Sequence, residues 1–128
     1  MLVVDVQGPI APVLLERFSR EAKAILRRLE AGLVLVIGDH RVRRVEQITP
    51  DAIASGRFDL ADIRFHGGGG TDFTPLLREA DDHHPDIGVV LTNLQGPTCF
   101  RPRWPVIWAV PEAWAAAVQP LGRKLVLR

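Results

Sequence analysis

The stretch His66-Gly67-Gly68-Gly69-Gly70-Thr71-Asp72-Phe73-Thr74-Pro75 decides how the rest of the chain is read. Four successive glycines allow positive φ and let the backbone come close to a ligand or to another loop. A hydroxyl and a carboxylate follow at once, and then a helix is expected over Phe73–Asp82. Thr74 suits its N-cap, and Pro75 stands at its first position, where a missing N–H is harmless. The stretch is not a P-loop, because no Gly-Lys-Ser/Thr follows. It is not a Gly-x-Gly-x-x-Gly dinucleotide loop either, because Thr-Asp separates the glycines from the helix. Taken alone it is compatible with a plain strand-to-helix turn.

The flanking sequence places this loop in an α/β fold. Leu2–Val6, Leu33–Ile37, Asp86–Thr92 and Pro105–Val110 are short apolar runs rich in β-branched residues, the pattern of buried parallel strands. Ala11–Ala31 reads as a long helix. Leu14, Phe18, Ala22, Ile25 and Leu29 form its apolar stripe, Pro12 sits in its first turn and Gly32 is the expected C-cap. Gly38-Asp39-His40 is a tight turn into Arg41–Ile48, whose charges suit an antiparallel edge strand. Thr49–Asp62 is a weakly patterned connection with room for one short helix, and Ile63-Arg64-Phe65 leads into the glycines. Pro111–Val118 is a helix candidate, and Lys124–Leu127 is a last strand. Strands alternating with helices imply a mostly parallel sheet covered on both faces, a Rossmann-like three-layer α/β/α arrangement. Ligands of such sheets bind at the carboxyl ends of the strands. Three loops are expected there: Asp5–Pro9, His66–Asp72 and Thr92–Gly96.

Composition narrows the function classes. The 128 residues suit one domain over 1–128, and 47% hydrophobic content supports a core without disulfides. A net charge of +1 provides no general attraction to nucleic acid or membrane. Cys99 is the only cysteine, which excludes an internal disulfide and a cysteine zinc cage and suggests a reducing compartment. MLVVDV lacks the basic region of a leader, and no apolar run reaches the ~20 residues of a membrane span. The expected setting is the bacterial cytoplasm.

Three features occur in a fixed order: Asp5 ends the first strand, Gly69-Gly70-Thr71-Asp72 stands mid-chain, and Thr92-Asn93 ends a later strand. This order resembles the von Willebrand factor A domain and its metal-ion-dependent adhesion site. The closest likeness is to the C-terminal A-like domain of bacterial predicted metal-dependent peptidases. Their pattern runs Asp-Thr-Ser-Gly-Ser, Gly-Gly-Gly-Gly-Thr-Asp-Phe, Thr-Asp-Gly, and then a Pro-Val-x-Trp strand. The matching stretches here are Asp5–Pro9, Gly67–Phe73, Thr92-Asn93-Leu94 and Pro105-Val106-Ile107-Trp108.

Position by position, the resemblance implies that Asp5 and Thr71 keep metal-site roles. Gln7 and Pro9 replace the two serines, and Asn93 replaces the last aspartate. Magnesium prefers hard oxygen ligands that include carboxylates. Gln7 and Asn93 still offer an amide oxygen, while Pro9 offers no side-chain oxygen. Asp5, Gln7, Thr71 and Asn93 therefore form at most a weak site for magnesium or manganese. A structural role for Asp5, organising the neighbouring loops, is the favoured reading. No His-Glu-x-x-His occurs, so the relatives' zinc peptidase chemistry does not transfer to this chain.

The other polar groupings carry less. His83-His84 beside Asp81-Asp82 fits a solvated helix end, because adjacent helical residues point in different directions. Cys99 has no evident His-and-acid partners for a nucleophile's role. Trp108 belongs to the core. The expected reading is a non-catalytic protein-interaction module. Its partner-facing rim comprises Gly8, His66, Gly69, Gly70, Asp72, Gln95, Arg101, Arg103 and Trp104. The resemblance implies a protein partner such as an AAA-type ATPase or a peptidase-like protein, with no nucleic acid and no membrane. The alternatives are a small-ligand-binding or hydrolytic protein using the same strand ends, and a structural remnant of a longer relative.

Overall fold

The computed structural model describes residues 1–6, 11–57, 72–92 and 98–128. The strands are β1 (Leu2–Asp5), β2 (Leu33–Gly38), β3 (Val42–Ile48), β4 (Gly88–Leu91), β5 (Val106–Pro111) and β6 (Arg123–Leu127). The helices are α1 (Pro12–Arg28), α2 (Pro50–Ala54) and α3 (Thr74–Asp81). The strands form one six-stranded sheet in the order β3-β2-β1-β4-β5-β6. All neighbours are parallel except β2 and β3, so β3 is the expected antiparallel edge. The strand order reverses between β1 and β4, and the crevice of an open α/β sheet lies at such a point.

Alternation along the strands sorts the core into two layers. Leu2, Val4, Leu35, Ile37 and Leu91 face α1 and α2, where they pack with Leu15 and Ile53. Val3, Val36, Val90 and Trp108 face α3, where they pack with Phe73, Leu76, Leu77 and Ala80. The Phe73 and Trp108 rings meet edge-to-face at 5.0 Å and 65°, and the Trp108 indole N–H donates to the Leu121 carbonyl.

Connections follow the right-handed rule for parallel crossovers. β1 crosses to β2 through α1 on one face. The chain from β4 to β5 and on to β6 moves the opposite way and therefore uses the other face. Phe100, Trp104, Ala117 and Leu121 of these two connections all pack into the α3-side core.

Four local expectations need correction. α1 stops at Arg28, and Glu30, not Gly32, takes the left-handed position at its end, with φ of 51°. Glu30 N–H donates to Arg27 and Ala31 N–H to Leu26, the two bonds of a Schellman ending. Gly32 is instead needed for a close approach, since a Cβ there would lie 2.7 Å from the Ile48 carbonyl. The apolar stripe of α1 is also rotated. Leu15 and Ser19 are buried, whereas Ile25 and Leu29 stand largely in solvent. Thr74 is not the N-cap of α3: its N–H donates to Asp72 Oδ1 at 2.9 Å. Finally, Pro111–Val118 forms only a single 3₁₀ turn at Glu112–Trp114. Pro120 disfavours a helical Gln119, and Lys124 Nζ takes the carbonyls of Ala115 and Ala117.

Candidate functional site at the strand ends

Asp5 ends β1 and is fully buried, and Thr92, just past β4, is 1% exposed. Period-two alternation puts both side chains on the α3 side of the sheet. The Thr92 hydroxyl donates to Asp5 Oδ2 at 2.7 Å, directly across the point where the strand order reverses. On the other side of β1, Val6 N–H donates to the Gly38 carbonyl at 2.9 Å. Asp5 thus stands at the convergence of β4, β1 and β2.

One strand further on, Asp39 is 1% exposed and carries a second carboxylate. From the sequence it is expected only as part of a tight turn. Arg43 grips it through Nε and Nη2, at 3.0 and 2.8 Å to Oδ2, and Arg41 N–H adds a bond to Oδ1 at 3.1 Å. Burial pushes the Asp39 carboxyl pKa up. The Arg43 and Arg41 hydrogen bonds, with the Arg43 charge, outweigh that and hold it below the usual carboxylate value. The available signal was its position: Asp39 directly follows a buried strand, and Asp5 ends one.

Asp72 stands at the entry to α3. Hydrogen bonds from the Thr74 hydroxyl and N–H, aided by the charge of Arg78, depress its pKa despite some desolvation. The Thr74 hydroxyl oxygen accepts the Cys99 N–H at 2.7 Å, which joins the start of α3 to the segment after β4. From there residues 98–104 run along α3. Arg78 stacks over Phe100 at 5.8 Å, and the Trp104 indole donates to Asp81 Oδ1 at 2.9 Å.

That path separates the expected rim residues. Trp104 packs against Gly88, the first residue of β4, so closely that a Cβ there would collide with its ring. Gly88 N–H donates to the Pro105 carbonyl, just before β5. Arg103 and Trp104 therefore stand at the amino edge of the sheet, opposite Asp5 and Thr92, and are not part of the carboxyl rim. Arg101 is exposed on the strap between the two edges. Of the positions named for a cation, only Asp5 is among the described residues; Gln7, Thr71 and Asn93 lie outside them. The rim positions Gly8, His66, Gly69, Gly70 and Gln95 lie outside them as well. Among the described residues no group of three His, Cys, Asp or Glu side chains is placed to hold a metal ion. No helix among them is long and apolar enough to cross a membrane.

A largely parallel sheet with a buried Asp-Thr pair at its switch point defines an A-like α/β class. The whole chain, residues 1–128, matches the family described as VWA-like domain (DUF2201), and it belongs to that family. Neither a curated protein nor a solved structure matches it.

Proposed function

We propose that this VWA-like chain is a non-catalytic protein-interaction module whose metal-ion-dependent adhesion site has degenerated. The observation that carries this reading is the 2.7 Å bond from Thr92 to the buried Asp5 carboxylate. The one carboxylate kept in the ligand set is engaged in joining β1 to β4. The remaining candidates add one hydroxyl, Thr71, and two amide oxygens, Gln7 and Asn93. That donor set does not fit a firmly held magnesium ion, which favours several hard anionic oxygens. Contact with a partner then rests on the carboxyl rim itself, through Gly8, His66, Gly69, Gly70, Asp72 and Gln95, with Arg101 on the adjoining strap. The likeness to peptidase-associated domains suggests a partner of the AAA-type ATPase or peptidase-like kind, in a bacterial cytoplasm.

Titration calorimetry with magnesium and manganese chloride on the wild type and on Asp5→Asn tests the metal reading. Neither ion is expected to bind in the micromolar range. Micromolar binding that disappears in Asp5→Asn overturns the reading. Affinity capture with the wild type, Asp72→Lys and Arg101→Glu tests the interaction reading. A protein recovered by the wild type and lost in both variants is the expected result, and recovery unaffected by either variant removes the rim from consideration.

A further inference from the structure

A buried carboxylate apart from the Asp5–Thr92 pair fixes a further part of the carboxyl edge, the turn from β2 to β3. The turn starts where β1 ends: Asp5 and Gly38 are register partners, and Val6 N–H donates to the Gly38 carbonyl. Ile37 pairs with Arg44 and Gly38 with Val42, so Arg43 is the extra residue of a β-bulge. A bulge re-aims a side chain, and here Arg43 turns back onto Asp39. Asp39 N–H donates to the Arg41 carbonyl at 3.1 Å, and Arg41 N–H donates to Asp39 Oδ1 at 3.1 Å. A Cβ on Gly38 would collide with that carbonyl and with Leu76, so the turn also closes tightly against α3. Backbone bonds and a buried carboxylate thus hold the tip in one shape.

The exposed charge of this tip is cationic. Of the carboxylates on the hairpin, Asp39 is 1% exposed, and Glu46 is bound by Arg44 at 2.9 Å. Arg41 is exposed, and its guanidinium makes no ion pair or hydrogen bond among the described residues. Arg43 gives Nε and Nη2 to Asp39, keeps Nη1 unbonded among the described residues, and has a side chain 42% exposed. The His40 ring on the same tip is 59% exposed. Guanidinium forks match carboxylates in geometry, and donors held in place before binding lose less entropy when they bind. A pair of guanidiniums suits a carboxylate. It is too few for the run of phosphate contacts on which nucleic-acid binding depends, and the net charge of +1 adds no wider field.

We propose that the β2–β3 tip is a contact element for an acidic segment of a protein partner, with a partner carboxylate taken by the Arg41 guanidinium and by Nη1 of Arg43. Such a contact presupposes that the chain is an interaction module, and it adds to the rim two arginines that stand beside the end of β1. Recognition of acidic motifs by arginine clusters is a recurring mode of peptide binding.

The test uses fluorescein-labelled peptides of equal length, one alternating glutamate with serine and the other lysine with serine, and fluorescence anisotropy on the intact chain. The glutamate peptide is expected to bind roughly tenfold more tightly than the lysine peptide, with the gap narrowing as salt screens the charges. Arg41→Glu is expected to lower the glutamate peptide's affinity roughly tenfold, and Arg41→Lys, which keeps the charge without the fork, by about threefold. Both variants should fold, because the bonds that Arg41 makes in the turn come from its backbone. Arg123→Glu makes the same charge change at an exposed site at the start of β6 and is expected to leave the affinity unchanged. Equal losses in Arg41→Glu and Arg123→Glu overturn the proposal, as does failure of the glutamate peptide to bind. An oligothymidylate that binds more tightly than the glutamate peptide overturns it in favour of nucleic acid. Affinity capture with Asp72→Lys and Arg101→Glu is read separately: recovery unaffected by those variants removes the wider rim, while the peptide result still decides the tip.

Discussion

Thr92 and Asp5 sit on adjacent parallel strands and share a 2.7 Å hydrogen bond at the point where the sheet changes direction. A hydrogen bond between two buried polar groups matters most through what is left behind when one partner is removed, since the other then stays buried with a bond unmade. Thr92→Val keeps the shape and removes the hydroxyl. The expected loss is about 2 kcal/mol of unfolding free energy. Urea denaturation with an unchanged m value checks it, and a double-mutant cycle with Asp5→Asn isolates the pair.

The Arg43 grip on Asp39 has a pH signature. The folded-state pKa of Asp39 lies below its unfolded value. The pair's stabilisation is therefore fully present above the unfolded carboxylate pKa of about 3.9 and is lost as pH falls through the lower folded value. Arg43→Met is expected to cost about 2 kcal/mol at pH 7, and the gap from wild type should close as the pH drops below about 4. Thermal melts of both proteins between pH 7 and pH 3 read this directly. A gap that stays constant to pH 3 is the contrary result.

Glu30 occupies a left-handed position that a side chain rarely adopts, with φ of 51°. Its exposed side chain makes no ion pair among the described residues. Glu30→Gly is expected to stabilise the protein by about 0.5–1 kcal/mol, and to raise the melting temperature by about 3 °C, because the left-handed strain disappears while the Schellman bonds remain.

Gly88→Ala addresses the amino edge. The added methyl group collides with the rigid Trp104 ring, which is also held by the Asp81 carboxylate. Overpacking of this kind costs about 1–3 kcal/mol. A change in tryptophan fluorescence should accompany the loss, since Trp104 must move. Asp81→Ala should produce a related spectral change with a smaller loss of stability.

Much of the fold was legible because its signals are local. The apolar runs and the charged edge strand predicted each strand and the antiparallel place of β3. Trp108 was identifiable as core from its apolar strand. Errors came where a neighbour far along the chain decides. The stripe Leu14-Phe18-Ala22-Ile25-Leu29 has helical period, yet Ile25 and Leu29 line an open groove and stay exposed. Thr74 has the chemistry of an N-cap, but its hydroxyl serves Asp72 and Cys99 instead. Glu30 replaced the expected Gly32 because the helix end is set by Leu26 and Arg27, while Gly32 answers to Ile48.

The sequence by itself determined the alternation of strand and helix and the charged edge strand. These depend on residue type and short-range spacing. Only the tertiary structure decided that Thr92 reaches Asp5, that Arg43 closes on Asp39, that Trp104 leaves the rim for the opposite edge and that Ile25 and Leu29 stay exposed. Each of these follows from strand order and crossover handedness, which bring together residues distant in the chain and which no local pattern encodes.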